Sequence, residues 1–447
     1  MERNKVLQQH VARNIIPIVH HLDKHIYTNG YMPASLTYDH YKPCWFRDSS
    51  MVSLSLIEAS ITLPSLRGAD EEHYTTAATA TDAAARQLNF LWLSAKNFQE
   101  NMERGIRTPF EDPAFFNLSS HFPARVGKDG KLSSGIVNGE LVKDTVENGD
   151  WLRQYDSLPL MLIATNFYIK NIGAEKVGSP IRIFSESLNT ILQYLVKVYK
   201  AQSFNAWESD GHQLHSYTLS SIYRGFISAL ELAERLGLHI PAEIRDKPEW
   251  MSNFLYKFFV RDRILYSSKN VLRQDGSGFE SEPTRKVDSS EIFTFTRFRP
   301  TSITPDIEIN TMKVIEKERF RNNLLPTRFP GDTYFFGGRW ILLGMEAARY
   351  YIQIRNFSKA IDILSYVEKK YLKHGNVMLP EQEIVDPESP GNDPSDYYAK
   401  NGNSPITDLA WSEGAYVSAA TSLLRSAENI TVPRTVFGIK LRSDKQA

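Results

Sequence analysis

The chain has 447 residues, 42% hydrophobic and 23% charged, so it can bury a large core under an ordinary soluble surface. Its 52 basic and 52 acidic residues balance without a basic block, which argues against a nucleic-acid partner, and no apolar run approaches the roughly 18 residues of a membrane span. Cys44 is the single cysteine, leaving no internal disulfide, and the polar start Met1-Glu2-Arg3-Asn4-Lys5 lacks an apolar signal core; both predict a cytoplasmic setting.

Helical apolar spacing dominates in chain order. It predicts helices near 3–26 (with Pro17 as a kink or late start), 48–62, 76–102, 155–173, 183–202, 212–237, 247–261, 288–298, 306–321, 337–354, 357–374 and 408–427. Strand signals are short, as in Arg263-Ile264-Leu265-Tyr266-Ser267. The stretch from about 104 to 150 is aperiodic and dotted with Gly, Pro and Asp; a loop that long in a compact domain is usually functional. No repeat or low-complexity linker divides the chain, which predicts one domain over 1–430 and a polar tail over 431–447. Segments 48–62 and 408–427 are rich in Ser, Ala and Leu, whereas neighbours such as 357–374 carry a charged face. Helices apolar all round are buried, and helices with a charged stripe face solvent. Their alternation predicts an all-α protein, an (α/α)6 barrel (a six-hairpin toroid) with long loops at one end; a helical solenoid would alternate similarly.

The unusual residues fall just before the even-numbered, inner helices. Trp45-Phe46-Arg47-Asp48 precedes the second, Trp151 to Asp156 the fourth, Trp207-Glu208 the sixth and Val287-Asp288 the eighth. Arg328 to Tyr334 precedes the tenth, and Leu379-Pro380-Glu381-Gln382 lies before the twelfth. In a two-ring barrel those loops meet at one end, where inner-helix N-termini offer free N–H groups. Glu208 and Glu381 would then face one pocket, and two opposed carboxylates can break a glycosidic bond by protonating the leaving oxygen and activating a water. Aromatics at 12% suit flat sugar faces, although large cores use them too.

Each motif has a plainer reading. Asp48 could be an N-cap, Arg328 and Asp332 a structural ion pair, and Gly337-Gly338 a concession to close helix packing. His20, His21 and His25 contain an i,i+4 pair without a His-Glu-x-x-His pattern, which reads as a solvated helix face. Cys44 reads as a small apolar filler. No GxSxG elbow, P-loop or GxGxxG fingerprint occurs.

Taken in order, these motifs resemble glycoside hydrolase family 15, the glucoamylase family, from about Tyr41 to about Leu424. Trp45-Phe46-Arg47-Asp48 is similar to the family's Trp-x-Arg-Asp, whose Arg and Asp hold the non-reducing-end glucose. Trp151 to Gln154 with Asp156 resembles Trp-x-Arg-Pro-Gln-x-Asp-Gly-Pro, with Ser157-Leu158-Pro159 in place of the Gly-Pro step. Trp207-Glu208 resembles the pair carrying the general acid, and Pro380-Glu381-Gln382 the segment bearing the general base. Arg328, Asp332 and Tyr334, followed by Trp340, resemble Arg-Tyr-Pro-Glu-Asp-x-Tyr, whose Arg reaches sugar hydroxyls. Asp408-Leu409-Ala410-Trp411-Ser412 is similar to the start of the last inner helix.

The resemblance implies an inverting, exo-acting α-glucosidase with Glu208 as acid and Glu381 as base. Trp45, Arg47, Asp48, Trp151, Asp156, Trp207, Arg328, Asp332, Tyr334 and Trp340 would bind substrate. It implies no metal and no organic cofactor, and a small oligosaccharide as partner. Many starch-degrading members have a second Glu after the acid, where this chain has Ser209. The first motif leaves no room for the bacterial members' N-terminal β-sandwich, and no starch-binding module follows. These departures predict short substrates such as isomaltose or malto- and isomalto-oligosaccharides. A trehalase, a phosphorylase and a non-catalytic sugar-binding or regulatory barrel are the rivals, and Glu381 counts against the phosphorylase. The chain carries no signature of linkage preference, oligomeric state or pH optimum.

Overall fold

A computed structural model describes residues 2–137, 140–143, 153–209, 211–270, 287–332, 334–383, 406–426, 435–436 and 439–440. The helices are α1 (Glu2–His25), α2 (Phe46–Thr62), α3 (Glu71–Lys96), α4 (Gln99–Arg107), α5 (Ser157–Asn171), α6 (Gly178–Val198) and α7 (Ser216–Arg235). They continue as α8 (Lys247–Phe259), α9 (Glu291–Phe293, prolonged by a π turn over Thr294–Phe298), α10 (Pro305–Ile315), α11 (Ile341–Gln353), α12 (Phe357–Tyr371) and α13 (Ala410–Ser426). Strands among the described residues are short antiparallel pairs, including Cys44–Trp45 with Arg125–Val126 and Arg339–Trp340 with Gln382–Glu383.

The helices form two rings. Inner helices α2, α5, α7, α9, α11 and α13 each pack on the next, and α13 closes the ring against α2. Sixteen of the 17 residues of α2 are buried, and 14 of the 17 in α13, against seven of the 15 in the outer α12. This contrast is the predicted (α/α)6 barrel. Small side chains let the inner helices approach: a Cβ on Gly414 would lie 3.1 Å from Ser55 Oγ and 3.2 Å from a Val52 methyl. The hydroxyls of Ser55 and Ser418 hydrogen-bond at 3.0 Å across the same contact.

Below the ring's midline lies a buried ionic network. Arg349 donates to both oxygens of Glu58 at 3.0 and 2.9 Å, and Arg297 lies 3.7 Å from Glu58 while donating to Glu346. Burial alone would raise the Glu58 pKa, but Arg349, Arg297 and Arg425 hold it down at about 2.

Three details depart from the sequence reading. The single helix expected over 76–102 is two, broken at Asn97-Phe98, and α3 starts early because Asp70 accepts from His73 N at 3.3 Å. Helices α9 and α10 end in π turns stopped by Arg299 (φ 48°) and Arg321 (φ 47°). The histidine face of α1 is not a solvated one. His25 is buried, His21 is largely so, and both meet Asp408 and Glu413 of the α13 segment. The C-terminal tail enters the description only as Thr435–Val436 paired with Ile439–Lys440.

The Glu58 network makes a testable claim about stability. Glu58→Ala should cost about 3–5 kcal/mol in urea unfolding, because it strands buried arginines. Its contribution should be fully present above about pH 4.3 and be lost as pH falls through about 2.

Candidate active site

Residues at or before the starts of α2, α7, α11 and α13 line one cavity of about 440 Å³. Tyr41, Trp45, Arg47 and Asp48 come from the α2 end, and Ala206 to Ser209 from the segment before α7. Arg328, Phe329, Asp332, Tyr334 and Trp340 precede α11, and Glu381, Leu409 and Trp411 come from the α13 side. The long loop between α4 and α5 adds Arg125, whose guanidinium stacks 4.9 Å from the Trp45 ring centre.

Glu208 sits in the left-handed region at φ 60°. That conformation costs a non-glycine residue about 1–2 kcal/mol, so its surroundings must impose it. Asn205 does so. Its Oδ1 accepts from Trp207 N at 2.9 Å and Ser209 N at 3.1 Å, while its backbone carbonyl accepts from Glu208 N at 3.0 Å. Trp207 is anchored in turn by Asp288, which accepts from Nε1 at 2.9 Å and is itself held by Ser290 N at 2.7 Å. The turn aims the Glu208 carboxyl into the cavity. There Trp45 Nε1 donates to Oε1 at 2.9 Å, and Arg47 approaches the same oxygen at 3.6 Å.

Glu381 is positioned from both sides. Its N–H donates to Ile406 O at 2.9 Å, and its carbonyl accepts from Ile341 N at 3.2 Å. Gly338 makes room for this segment, since a Cβ there would lie 2.4 Å from Gln382 Oε1. Gly338 thus serves a strand contact beside Glu381, and Gly337, at φ 65°, a turn that closes on Asp332 O, rather than helix packing. Tyr41 OH donates to Glu381 Oε1 at 2.9 Å and Tyr334 also hydrogen-bonds the carboxyl, whereas Oε2 is buried and has no close partner among the described residues. Burial pushes the Glu381 pKa up to about 7, against the lowering effects of Tyr41 and Arg328. Tyr41 and Trp45 stack at 5.5 Å, so one aromatic pair links the two carboxyls.

Two arginine–aspartate pairs complete the wall. Arg47 donates to Asp48 at 3.1 Å and Gln154 at 2.6 Å, and lies 5.3 Å from the Trp411 ring centre. Burial pushes Asp48 up to about 6 despite Arg47. Arg328 grips Asp332 with two parallel bonds of 2.7 and 2.6 Å, and its guanidinium stands over Trp340 at 4.7 Å and Tyr334 at 4.9 Å. The Nε1 atoms of Trp340 and Trp411 are buried without protein partners. Both residues line the cavity, as does Glu381.

Ten of the sequence-predicted site residues line this cavity: Trp45, Arg47, Asp48, Trp207, Glu208, Arg328, Asp332, Tyr334, Trp340 and Glu381. Asp156 does not. It is buried behind the wall, accepting from Tyr217 OH at 3.1 Å, and acts on the site through its charge near Arg47. Trp151 lies outside the described residues. Sequence reasoning missed Tyr41, Arg125 and Asn205. The aperiodic loop was the only signal for Arg125, and neither Tyr41 nor Asn205 belongs to a motif. Cys44 is a buried filler whose thiol burial pushes up to about 11.

The sequence model described as glycosyl hydrolases family 15 matches residues 5–374. A solved structure described as a wild-type glycosidase superposes with a TM-score of 0.66 at 18% identity, covering 93% of this chain and 98% of its own. The glucoamylase of Hormoconis resinae superposes at 0.58 with 16% identity, covering 94% and 74%. A glycoside hydrolase family 15 glucoamylase from Hypocrea jecorina superposes at 0.57 with 15% identity, covering 93% and 71%. No curated protein matches the chain.

The Asn205 turn can be tested by its effect on turnover. Asn205→Ala removes the acceptor for two backbone N–H groups and should lower kcat on a glycoside by up to about 10²-fold, through misplacement of Glu208. Asn205→Asp keeps an acceptor oxygen and should recover most of the loss; equal losses in the two variants would show that the acceptor is not what holds Glu208.

Proposed function

Because the chain belongs to glycosyl hydrolases family 15, we propose that it is an inverting, exo-acting hydrolase of short α-glucosides that releases glucose from the non-reducing end. The observation that carries this reading is the pair of carboxyls on one cavity, Glu208 presented by a strained turn and Glu381 with one unpartnered oxygen. Glu208 donates a proton to the glycosidic oxygen as that bond breaks. Glu381 Oε2 takes a proton from a water, which attacks the anomeric carbon from the opposite face. Arg47, Asp48, Arg328 and Asp332 hold sugar hydroxyls, and the tryptophans cover the ring faces. A glutamate-to-alanine variant of the structurally similar glycosidase is described as in complex with glucose, which supports glucose as the unit recognised.

Ser209 supports a short substrate. A carboxylate at this position could accept strongly from the leaving-side sugar. The Ser209 hydroxyl instead hydrogen-bonds to Asn205, at 3.1 Å from Nδ2 and 3.3 Å from Oδ1. Affinity then comes mainly from the glucose pocket. A cytoplasmic setting belongs to the same proposal and rests on Cys44 being the single cysteine.

One observation favours a reversed assignment: the more deeply buried carboxyl is the usual acid, and Glu381 is the one that burial pushes up. Leaving-group dependence separates the two. Glu208→Gln should lose about 10²–10⁴-fold in kcat on isomaltose or maltose and far less on α-glucosyl fluoride, whose departing fluoride needs little protonation. Glu381→Gln should lose comparably on both substrates. The opposite pattern would exchange the roles.

The pH profile tests the base. A carboxylate with a pKa of about 7 is protonated below neutrality, so kcat/KM should fall about tenfold per unit on the acid side of pH 7. Tyr41 stabilises the charged form, so Tyr41→Phe should move that limb to higher pH. A limb that stays in place would mean that Glu381 does not control it. Across maltose and isomaltose series, kcat/KM should peak at two or three sugar units; a steady rise to soluble starch would refute the short-substrate reading.

A further inference from the structure

We propose that His21, His25, Asp408 and Glu413 form a structural site for a tetrahedral divalent transition metal ion, with zinc as the best fit, clamping the first outer helix to the last inner one. Each residue offers one ligand atom, and the four atoms lie within 4.8 Å of one another. Four separations define the cage more closely. His21 Nε2 lies 3.0 Å from His25 Nε2, 3.1 Å from Asp408 Oδ1 and 3.5 Å from Glu413 Oε1, and His25 Nε2 lies 3.4 Å from Asp408 Oδ2. Zinc–ligand bonds of 2.0–2.1 Å give tetrahedral edges of about 3.3 Å, so the distances around His21 fit a coordination sphere, and the wider pairs, within 4.8 Å, would close on the ion.

The chemistry agrees with the geometry. Two imidazoles and two carboxylates suit zinc, whereas magnesium and calcium take all-oxygen shells. The two Nε2 atoms face each other beside Asp408, so protons there must be shared between the rings or given to that carboxylate, while a metal would use both lone pairs. A second observation is independent of the spacing. Glu413 is fully buried, and its Oε2 meets no N–H or hydroxyl donor among the described residues. Two carboxyl groups side by side in a protein interior, here Glu413 and Asp408, call for a shared proton or a cation between them, and a metal would supply the cation. His21 also lines a surface cavity with Arg13, His20, Lys24 and Glu72, which gives an ion a path inward.

The placement gives the site a purpose. His21 and His25 stand at the end of α1, i,i+4 on one face, and Asp408 and Glu413 flank the start of α13. Glu413 Oε1 also accepts from Leu379 N at 3.4 Å, two residues before Glu381. A metal here would join the first and last helices of the barrel and brace the segment carrying the proposed base. This role does not depend on which glycoside is cleaved.

Tagless protein, stripped of metal with a chelator, tests the proposal. Titration with Co²⁺ should saturate at a single ion per chain and give the intense visible absorption of a tetrahedral site, which Zn²⁺ then displaces. Zinc should raise Tm in the same preparation. His21→Gln, at the partly exposed ligand, and Asp408→Asn should each lose the absorption and the Tm response. Failure of the wild-type chain to take up either ion would overturn the site. So would an unchanged spectrum and stoichiometry in folded His21→Gln protein. These readouts are separate from turnover, so an inactive enzyme on every glycoside would leave them intact.

Discussion

The contact between α2 and α13 holds the molecule's mouth together. It joins residues more than 350 positions apart in the chain, and it works because both helices carry small side chains on the shared face, Val52 and Ser55 against Gly414 and Ser418. Close backbone approach there closes the inner ring. Closure then sets Arg47 and Asp48 at the start of α2 beside Leu409 and Trp411 at the start of α13, around a common cavity. One turn further along the same seam, Glu58 and Ser418 share Arg349, so the contact is also fastened by an ionic network. The network ties Glu58 of α2, Arg297 beside α9, Glu346 and Arg349 of α11 and Ser418 of α13 to one another across the ring.

The site spends some of the stability that the ring provides. Glu208 occupies a backbone conformation that glycine would tolerate better, and Glu381, Trp340 and Trp411 keep buried polar atoms unmatched. Each feature is costly in an apolar interior, and each lies on the cavity wall. Comparable strain and unmet hydrogen bonds occur elsewhere in the fold, as at Arg299 and Tyr168, so what marks the cavity is their combination with two carboxyl groups and two arginine–aspartate pairs on one wall.

Much of this was legible in the sequence, for physical reasons. Inner helices such as 48–62 and 408–427 are apolar or small all round, so their burial shows in composition alone. The loops before them carry Trp, Arg, Asp and Glu, so the cavity's main residues stood out once the ring was inferred. Side chains without a local pattern were not legible. Tyr41 acts through a partner 340 positions away, Asn205 acts by bending the backbone, and Asp156 works from behind the wall. His21 and His25 read as surface residues because helical spacing reveals which positions share a face, not what packs against that face. Their partners, Asp408 and Glu413, arrive from the far end of the chain.

In the proposed mechanism Glu208 and Glu381 act from opposite faces of a glucose ring, so that water replaces the leaving group with inversion. Proton NMR of the first product formed from an α-glucoside, recorded before mutarotation, tests this most directly. With inversion, β-glucose appears first and α-glucose grows in later. Initial α-glucose would mean a double displacement through an enzyme-bound sugar, and would contradict the roles given to both residues.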